Sequence, residues 1–403
     1  MAGATIDHMI SVTILIAALL VAMLTYNGLF ASAVEYDKNR QVANKAVDII
    51  NTICLSPGNP TNWGETNASL LGFGLQDPRV GGYAISPFSV MRLNTATNAS
   101  QLVYYPGTNS YYNNVTSTAG FTTLTPLGDC INYTTAAELL GINGKYEFSI
   151  DINPSLNIEV TQIVANPLTL NIQVYGSSLP ISGAALKYHL LEVKGTGNYP
   201  EIIYHNGEDI TGSSGSVNIT FSGLNGNVKS FSFTVYAELG GITGVGYYAH
   251  NTAESEVPYI IPLIHDYDNG IILIAHGWDI FEDPGVQAEV KYNATFYVLT
   301  PDFQLQPVLI SNSTDHLNWG SSDYFVTQIP ASETGYLVIS YKKSAVETGT
   351  IIMPWGIASL GVKTSYSSGI GSSGYDFVAT ELRQVIIDGI SYQVKVSVWS
   401  LSS

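Results

Sequence analysis

The sequence predicts a mainly β protein carried on one long N-terminal helix. Three observations predict it. Residues 9–33 form an apolar run without a single charge. Residues 35–55 continue that run with apolar side chains at spacings of 3 and 4, until Pro57. Beyond residue 60 the apolar period falls from 3.6 to 2, and Gly, Asn, Pro and Ser clusters separate short β-branched and aromatic segments.

The first element is a membrane-spanning candidate. About 20 apolar residues cross a bilayer core as a helix. Here MISVTILIAALLVAMLTYNGLFASA exceeds that length. A cleaved secretory signal has a basic start and a shorter core, and no Lys or Arg precedes this run. A retained anchor is therefore expected, with Ile10, Ile14, Leu19 and Leu24 facing lipid or sister helices. The second element is amphipathic. Val42, Ala46, Val47, Ile50, Ile53 and Cys54 recur at helical spacing, with Asp37, Lys38, Arg40, Lys45 and Asp48 between them. Val42, Val47, Ile50 and Ile53 are the residues expected to dock a head domain. Pro57, Gly58 and Pro60 end the helix.

The rest reads as antiparallel β-sandwich. NIQVYG, SVNITFSG, SFSFTVYAEL, AEVKYNATFYVL, GYLVISYKK and YQVKVSVW alternate or are rich in strand formers. Four parts are expected: a helix over 1–56, the first part of a head over 57–163, an Ig-like sandwich module over 164–252, and a C-terminal β region over 253–403 that completes the head.

Composition excludes several classes. Charged residues are 12% of 403, against roughly 25% in an average soluble domain. Acids outnumber bases 32 to 15, giving a net charge of −17. With 45% hydrophobic residues the chain is not disordered. Arg occurs four times, so no basic stripe exists for nucleic acid. One long apolar run excludes a polytopic membrane protein.

Candidate chemistry is sparse. His265, Asp266, Asp268, His276, Asp279, Glu282 and Asp283 fall close together, but their spacing fits no closed metal site. The same stretch reads better as a hairpin turning at Asn269-Gly270. GIGSSG at 369–374 matches a phosphate-loop pattern without the βαβ context that would give it meaning. No catalytic, metal or cofactor residues are assigned. YYPGTNSYYNN at 104–114 offers aromatic contact surface for glycans or proteins. Cys54 and Cys130 are an even pair that an oxidising compartment would join. Closing that loop would stabilise by about 4–5 kcal/mol in the chain-entropy model. The alternative is two buried free thiols. Sequons at Asn67, Asn98, Asn114, Asn132, Asn218, Asn293 and Asn312 permit glycosylation outside the cell.

The order of segments resembles archaeal type IV pilin-like proteins with a class III signal peptide. The resemblance rests on the apolar-then-amphipathic helix and on LSPGNPTNWG at 55–64. It extends through ISPFSVMRL at 85–93, the segment at 136–160, and RQVIIDGISYQVKVSVW at 383–399. Within 168–193, LTLNIQVYGSSLPISGAALKYHLLEV resembles the opening of an Ig-like or transthyretin-like module. The resemblance implies a structural, non-enzymatic subunit of a surface filament, its assembly system or adhesion. Its partners would be the membrane, sister subunits, and surface glycans or proteins. Prepilin processing would cut near Gly3 or Ala4, although the usual preceding bases are missing. Lys38, Arg40 and Lys45 all follow the span, which alone would place the large domain inside. Long domains translocate largely regardless of charge, and the head is Tyr-, Ser- and Thr-rich, so it is expected outside the cell. Two other readings stay open: a membrane-tethered hydrolase using the 265–283 carboxylates and histidines, and a surface-layer accessory protein.

Overall fold

A computed structural model describes residues 2–66, 68–93, 102–116, 122–125, 130–142, 144–194, 197–224, 230–251, 258–266, 269–311, 316–320, 324–329, 335–344, 347–355, 364–369, 375 and 377–401. The protein is mainly β, with one long N-terminal helix followed by antiparallel sheets.

The helix runs unbroken over Ala2–Leu55, about 80 Å at 1.5 Å per residue. Its C-terminal part lies on a four-stranded sheet, here the stalk sheet, ordered Thr364–Ser367, Tyr146–Pro154, Ile390–Ser400 and Val378–Ile387. Strand alternation sends Ile150, Ile152, Val385, Ile387, Val394, Val396 and Val398 into the core beneath the helix. Strands far apart in the chain meet here, so the stalk sheet closes only when the C-terminus returns.

The other four sheets stack face to face. The outer sandwich sheet is Ser216–Phe221, Leu168–Gly176 and Asn157–Ala165. The inner one is Ile242–Asn251, Ser230–Leu239, Ala185–Lys194 and Glu201–Ile210. Leu170, Ile172, Val174, Leu190, Phe231, Phe233 and Val235 fill the space between them. The sandwich thus starts at Asn157, inside the segment assigned by sequence to the first part of the head. Gly244 and Gly246 let the edge of one sheet reach the other. A Cβ at Gly244 would sit 2.7 Å from the Leu156 Cβ, and one at Gly246 the same distance from the Ile158 Cγ2.

The third layer is a central sheet of Leu305–Ser311, Val290–Leu299, Gly335–Lys342 and Thr348–Trp355. The fourth is a distal sheet that joins Leu102–Tyr105, Ser110–Thr116 and Thr122–Thr125 to Ile260–Asp266, Ile271–His276 and Tyr324–Gln328. Central and distal sheets share a core around Tyr292, Phe296, Ile339, Met353 and Trp355. Residues 57–156 and 258–401 divide between two bodies, the stalk sheet with its helix and the central–distal pair, while 157–163 belong to the sandwich.

The inner and central sheets meet through polar and aromatic side chains. The Tyr247 and Tyr336 hydroxyls lie 2.9 Å apart, and Tyr336 also contacts the Tyr236 hydroxyl. His189 donates from Nε2 to the Phe303 carbonyl at 2.8 Å and accepts at Nδ1 from the Tyr204 hydroxyl. Burial holds this imidazole neutral, its pKa below the ordinary histidine value. Ser230 donates to the Thr348 carbonyl.

Candidate functional site

The feature with the clearest physical role is the long helix, and its two halves differ in surroundings. From Ile6 to Lys38 every residue is exposed. Ile10, Ile14, Leu19 and Leu24 are 52%, 64%, 57% and 72% exposed, so nothing among the described residues covers them. Such an apolar surface is unfavourable in water and favourable in lipid. The hydroxyls within the run do not oppose this. Ser11, Thr13, Thr25 and Ser32 each donate to the carbonyl four residues earlier, at 2.8, 2.8, 2.7 and 2.9 Å. Their polar hydrogens are satisfied inside the helix, as a hydrocarbon environment requires. The helix is long and apolar enough to cross a membrane.

The second half docks. Val42, Ala46, Ile49, Ile50, Ile53 and Cys54 are buried against the stalk sheet. This corrects the sequence reading at two positions. Val47 is only half-buried; it lies roughly 100° around the helix from the centre of the stripe, at its edge beside Cys54. Ile49, which the sequence reading passed over, lies within the stripe.

A lock below the helix holds this geometry. The Trp63 indole donates to the Pro57 and Gly74 carbonyls, both at 3.0 Å. Arg92 is buried, with its guanidinium 5.3 Å from the Trp63 ring centre. It donates to the Thr66 carbonyl at 3.1 Å, the Ala68 carbonyl at 3.4 Å and the Trp63 carbonyl. A buried guanidinium is tolerated where its donors meet several acceptors.

Beside the lock lies a carboxylate cluster that spacing along the chain could not reveal. Arg79 bonds Asp77 at 2.9 Å and Glu65 at 3.1 Å. Asp388 occupies the turn of the closing hairpin, where Asp388 and Gly389 both have positive φ, 47° and 83°. That is the type I′ pattern, which Asp-Gly and Asn-Gly favour. The Ile386 amide donates to the Tyr83 carbonyl at 3.0 Å, and the Ile85 amide to the Ile386 carbonyl at 2.9 Å, bringing the Asp77 loop to the turn. One Asp388 oxygen is sealed from solvent without a hydrogen-bond partner. Burial, and then repulsion from Asp77, push its carboxyl up to about 8.

The sign follows. The folded pKa lies above the unfolded value of about 3.9, so folding favours the protonated acid. This contribution is complete below pH ~4 and is lost as pH rises towards 8. Asp388→Asn keeps the turn and removes the charge. It is expected to stabilise the head at pH 8 by about 1–3 kcal/mol, the full shift being reduced by solvent screening. At pH 4 it is expected to change little. Melting curves at the two pH values check this; a pH slope unaltered by the substitution would remove Asp388 from the account.

The remaining sequence candidates resolve as follows. The expected Cys54–Cys130 bridge is replaced by two free thiols. Cys54 is enclosed under the helix, and burial pushes its thiol up to about 12, leaving almost no thiolate to react. Cys130 is half-buried and contacts the Ile131 carbonyl at 3.7 Å. Asn218 is exposed and accepts from the Asn171 amide at 2.8 Å. Asn132 is exposed and caps the helix Tyr133–Leu139 through its Oδ1 at 2.8 Å from the Thr134 amide. Asn293 is half-buried in an internal strand of the central sheet, with Thr295 of its sequon buried, a poor acceptor for a bulky glycan. Asn114 lies in the strand Ser110–Thr116. Asn67, Asn98 and Asn312 lie outside the described residues, as does most of GIGSSG.

The 265–283 stretch forms the expected hairpin, with strands Ile260–Asp266 and Ile271–His276, but Asp266 pairs with Ile271, so four residues join the strands rather than Asn269-Gly270 alone. Several of its polar side chains bond backbone groups, whereas His265 is exposed. His276 is buried; its Nε2 donates to the Ala288 carbonyl at 2.8 Å, and its Nδ1 accepts from the Trp278 amide at 3.2 Å. Asp279 accepts from the Gly320 amide at 2.7 Å, and Asp283 from the Gly285 amide at 2.8 Å. Asp268 lies outside the described residues. Among the described residues, no three His, Cys, Asp or Glu side chains are grouped as metal ligands. In the 104–114 hairpin, alternation buries Tyr105 and Tyr112 and exposes Tyr104 and Tyr111, whose ring centres are 5.2 Å apart.

No protein-family model matches the sequence, and no curated protein matches it. Among solved structures, the chain is similar to a red sea bream transglutaminase at 9% identity and a TM-score of 0.16. The match covers 55% of this chain and 33% of that one, so the chain spans about a third of that structure's length. A likeness this low carries no argument about fold or chemistry.

Proposed function

We propose that the protein is a single-pass, membrane-anchored structural component of the cell surface, of the type IV pilin-like kind, with its β head outside the cell. It serves a filament, the assembly system of one, or adhesion. The observation that supports this most is the helix. One unbroken rod presents an uncovered apolar surface in its first half and a buried docking stripe in its second. Such a rod transmits the position of the head to the membrane, or to sister helices in a bundle. The stacked sheets then project outward as a contact surface.

The full-length chain is expected to stay with membranes after alkaline carbonate extraction, and protease added to intact cells is expected to trim the head. N-terminal sequencing of the mature protein sharpens the test. A start at Ala4 or Thr5 marks prepilin processing. A start near Val34 removes both the anchor and the pilin-like reading, and a head protected in intact cells reverses the orientation.

A further inference from the structure

The junction between the stalk sheet and the sandwich contains an open cleft of about 630 Å³. Its floor carries a row of carboxamides. In the stalk sheet Gln384 pairs in register with Gln393, and Gln393 with Asn153, so three amide side chains stand side by side on adjacent strands. All three are exposed. From the outer sandwich sheet, Asn157, Glu159 and Tyr175 complete the cleft, and Asn157 and Tyr175 are themselves paired in register. Ser177 and Ser178 also line it, and both have positive φ, 48° and 74°. Gly or Asn is the usual occupant of such turn positions, so two serines hold hydroxyls there at a conformational cost.

The chemistry of this lining is specific. Each carboxamide offers donors and an acceptor together, which matches a hydroxyl that both donates and accepts. Tyr175 supplies an aromatic face. Glu159 supplies one acceptor charge, and among the described residues no Lys, Arg or His lines the cleft, so phosphate, sulfate or carboxylate ligands find no counter-charge there. The nearest base in the floor strand, Lys395, is paired with Asp151 at 3.6 Å. Only Pro154 and Ile242 are apolar, too little for the side-chain pockets of a peptide. We infer that this cleft binds a neutral oligosaccharide, with its hydroxyls on the Asn153–Gln393–Gln384 row and a sugar face on Tyr175. The inference does not depend on how the helix is used.

The test uses the full chain in lipid nanodiscs, because alkyl-glycoside detergents would compete with their own sugar heads. Soluble neutral oligosaccharides of glucose, mannose and N-acetylglucosamine are titrated alongside sulfated and sialylated counterparts. At least one neutral oligosaccharide is expected to bind, and its charged counterpart to bind no better. Gln393→Ala and Tyr175→Ala are each expected to weaken binding tenfold or more without moving the melting temperature. A glycopeptide carrying the same sugar separates sources: tighter binding than the free sugar points to a neighbouring glycoprotein, equal binding to a polysaccharide. If no neutral oligosaccharide binds at millimolar concentration, or if binding survives both substitutions, the inference is overturned.

Discussion

Ile50→Asp unfolds the head, whereas Val47→Asp leaves it folded. Ile50 is fully buried between the helix and the stalk sheet, and Val47, three residues earlier, is half-buried at the edge of the docking stripe. A carboxylate at Ile50 enters the apolar cluster that holds Ile150, Val394, Val396 and Ile387. The lost apolar burial is worth about 2–3 kcal/mol, and the unpaired buried charge adds several more. That sum is comparable to the whole stability of an ordinary domain, about 5–15 kcal/mol. At Val47 the carboxylate turns to water, and the expected loss is about 1 kcal/mol or less. Near-ultraviolet circular dichroism and limited proteolysis of both variants check the contrast. Equal loss at the two positions would mean that the helix docks through a different face.

The periodic elements of this fold were legible because periodicity is local. Val42, Ala46, Ile50, Ile53 and Cys54 announce a helix face whatever lies opposite, and the 260–276 hairpin follows from two apolar runs around Asn269-Gly270. The order of layers was not legible. Ser230–Leu239 is buried along most of its length on both faces, because Phe231, Phe233 and Val235 meet the outer sheet while Ser232, Thr234 and Tyr236 meet the central one. Its Ser and Thr suggest a solvent face by alternation alone. The cluster of Glu65, Asp77, Arg79 and Asp388, and the amide row of Asn153, Gln384 and Gln393, join residues more than two hundred positions apart. No spacing rule marks such groups; they exist only once the C-terminal hairpin returns to the helix. The cysteines fail for a related reason. Counting two thiols suggests a pair, but the apolar face that carries Cys54 is already used for docking.

Leu19→Arg combined with Leu24→Arg releases a folded protein from the membrane. Each arginine near the centre of a spanning helix costs about 2.5–3.5 kcal/mol on the insertion scale, so the pair costs roughly 5–7 kcal/mol. The two sites are 57% and 72% exposed and are covered by none of the described residues of the head, so its melting temperature should not change. The expected result is a shift of the double variant from the carbonate-resistant pellet to the soluble fraction, with Leu19→Met and Leu24→Met remaining in the pellet. Retention of the double-arginine chain at the level of the parent would mean that something other than this helix holds the protein to the membrane. Paired with Ile50→Asp, the experiment separates the two halves of one continuous rod. The docking change should leave an unfolded head on an inserted anchor, and the spanning change a folded head without one. A plain tether joined to the head by a flexible linker would also let the two losses occur separately, but Ile50→Asp would then leave the head intact. Loss of the head on substitution within the helix itself is what distinguishes a rod built into the fold from a leash attached to it.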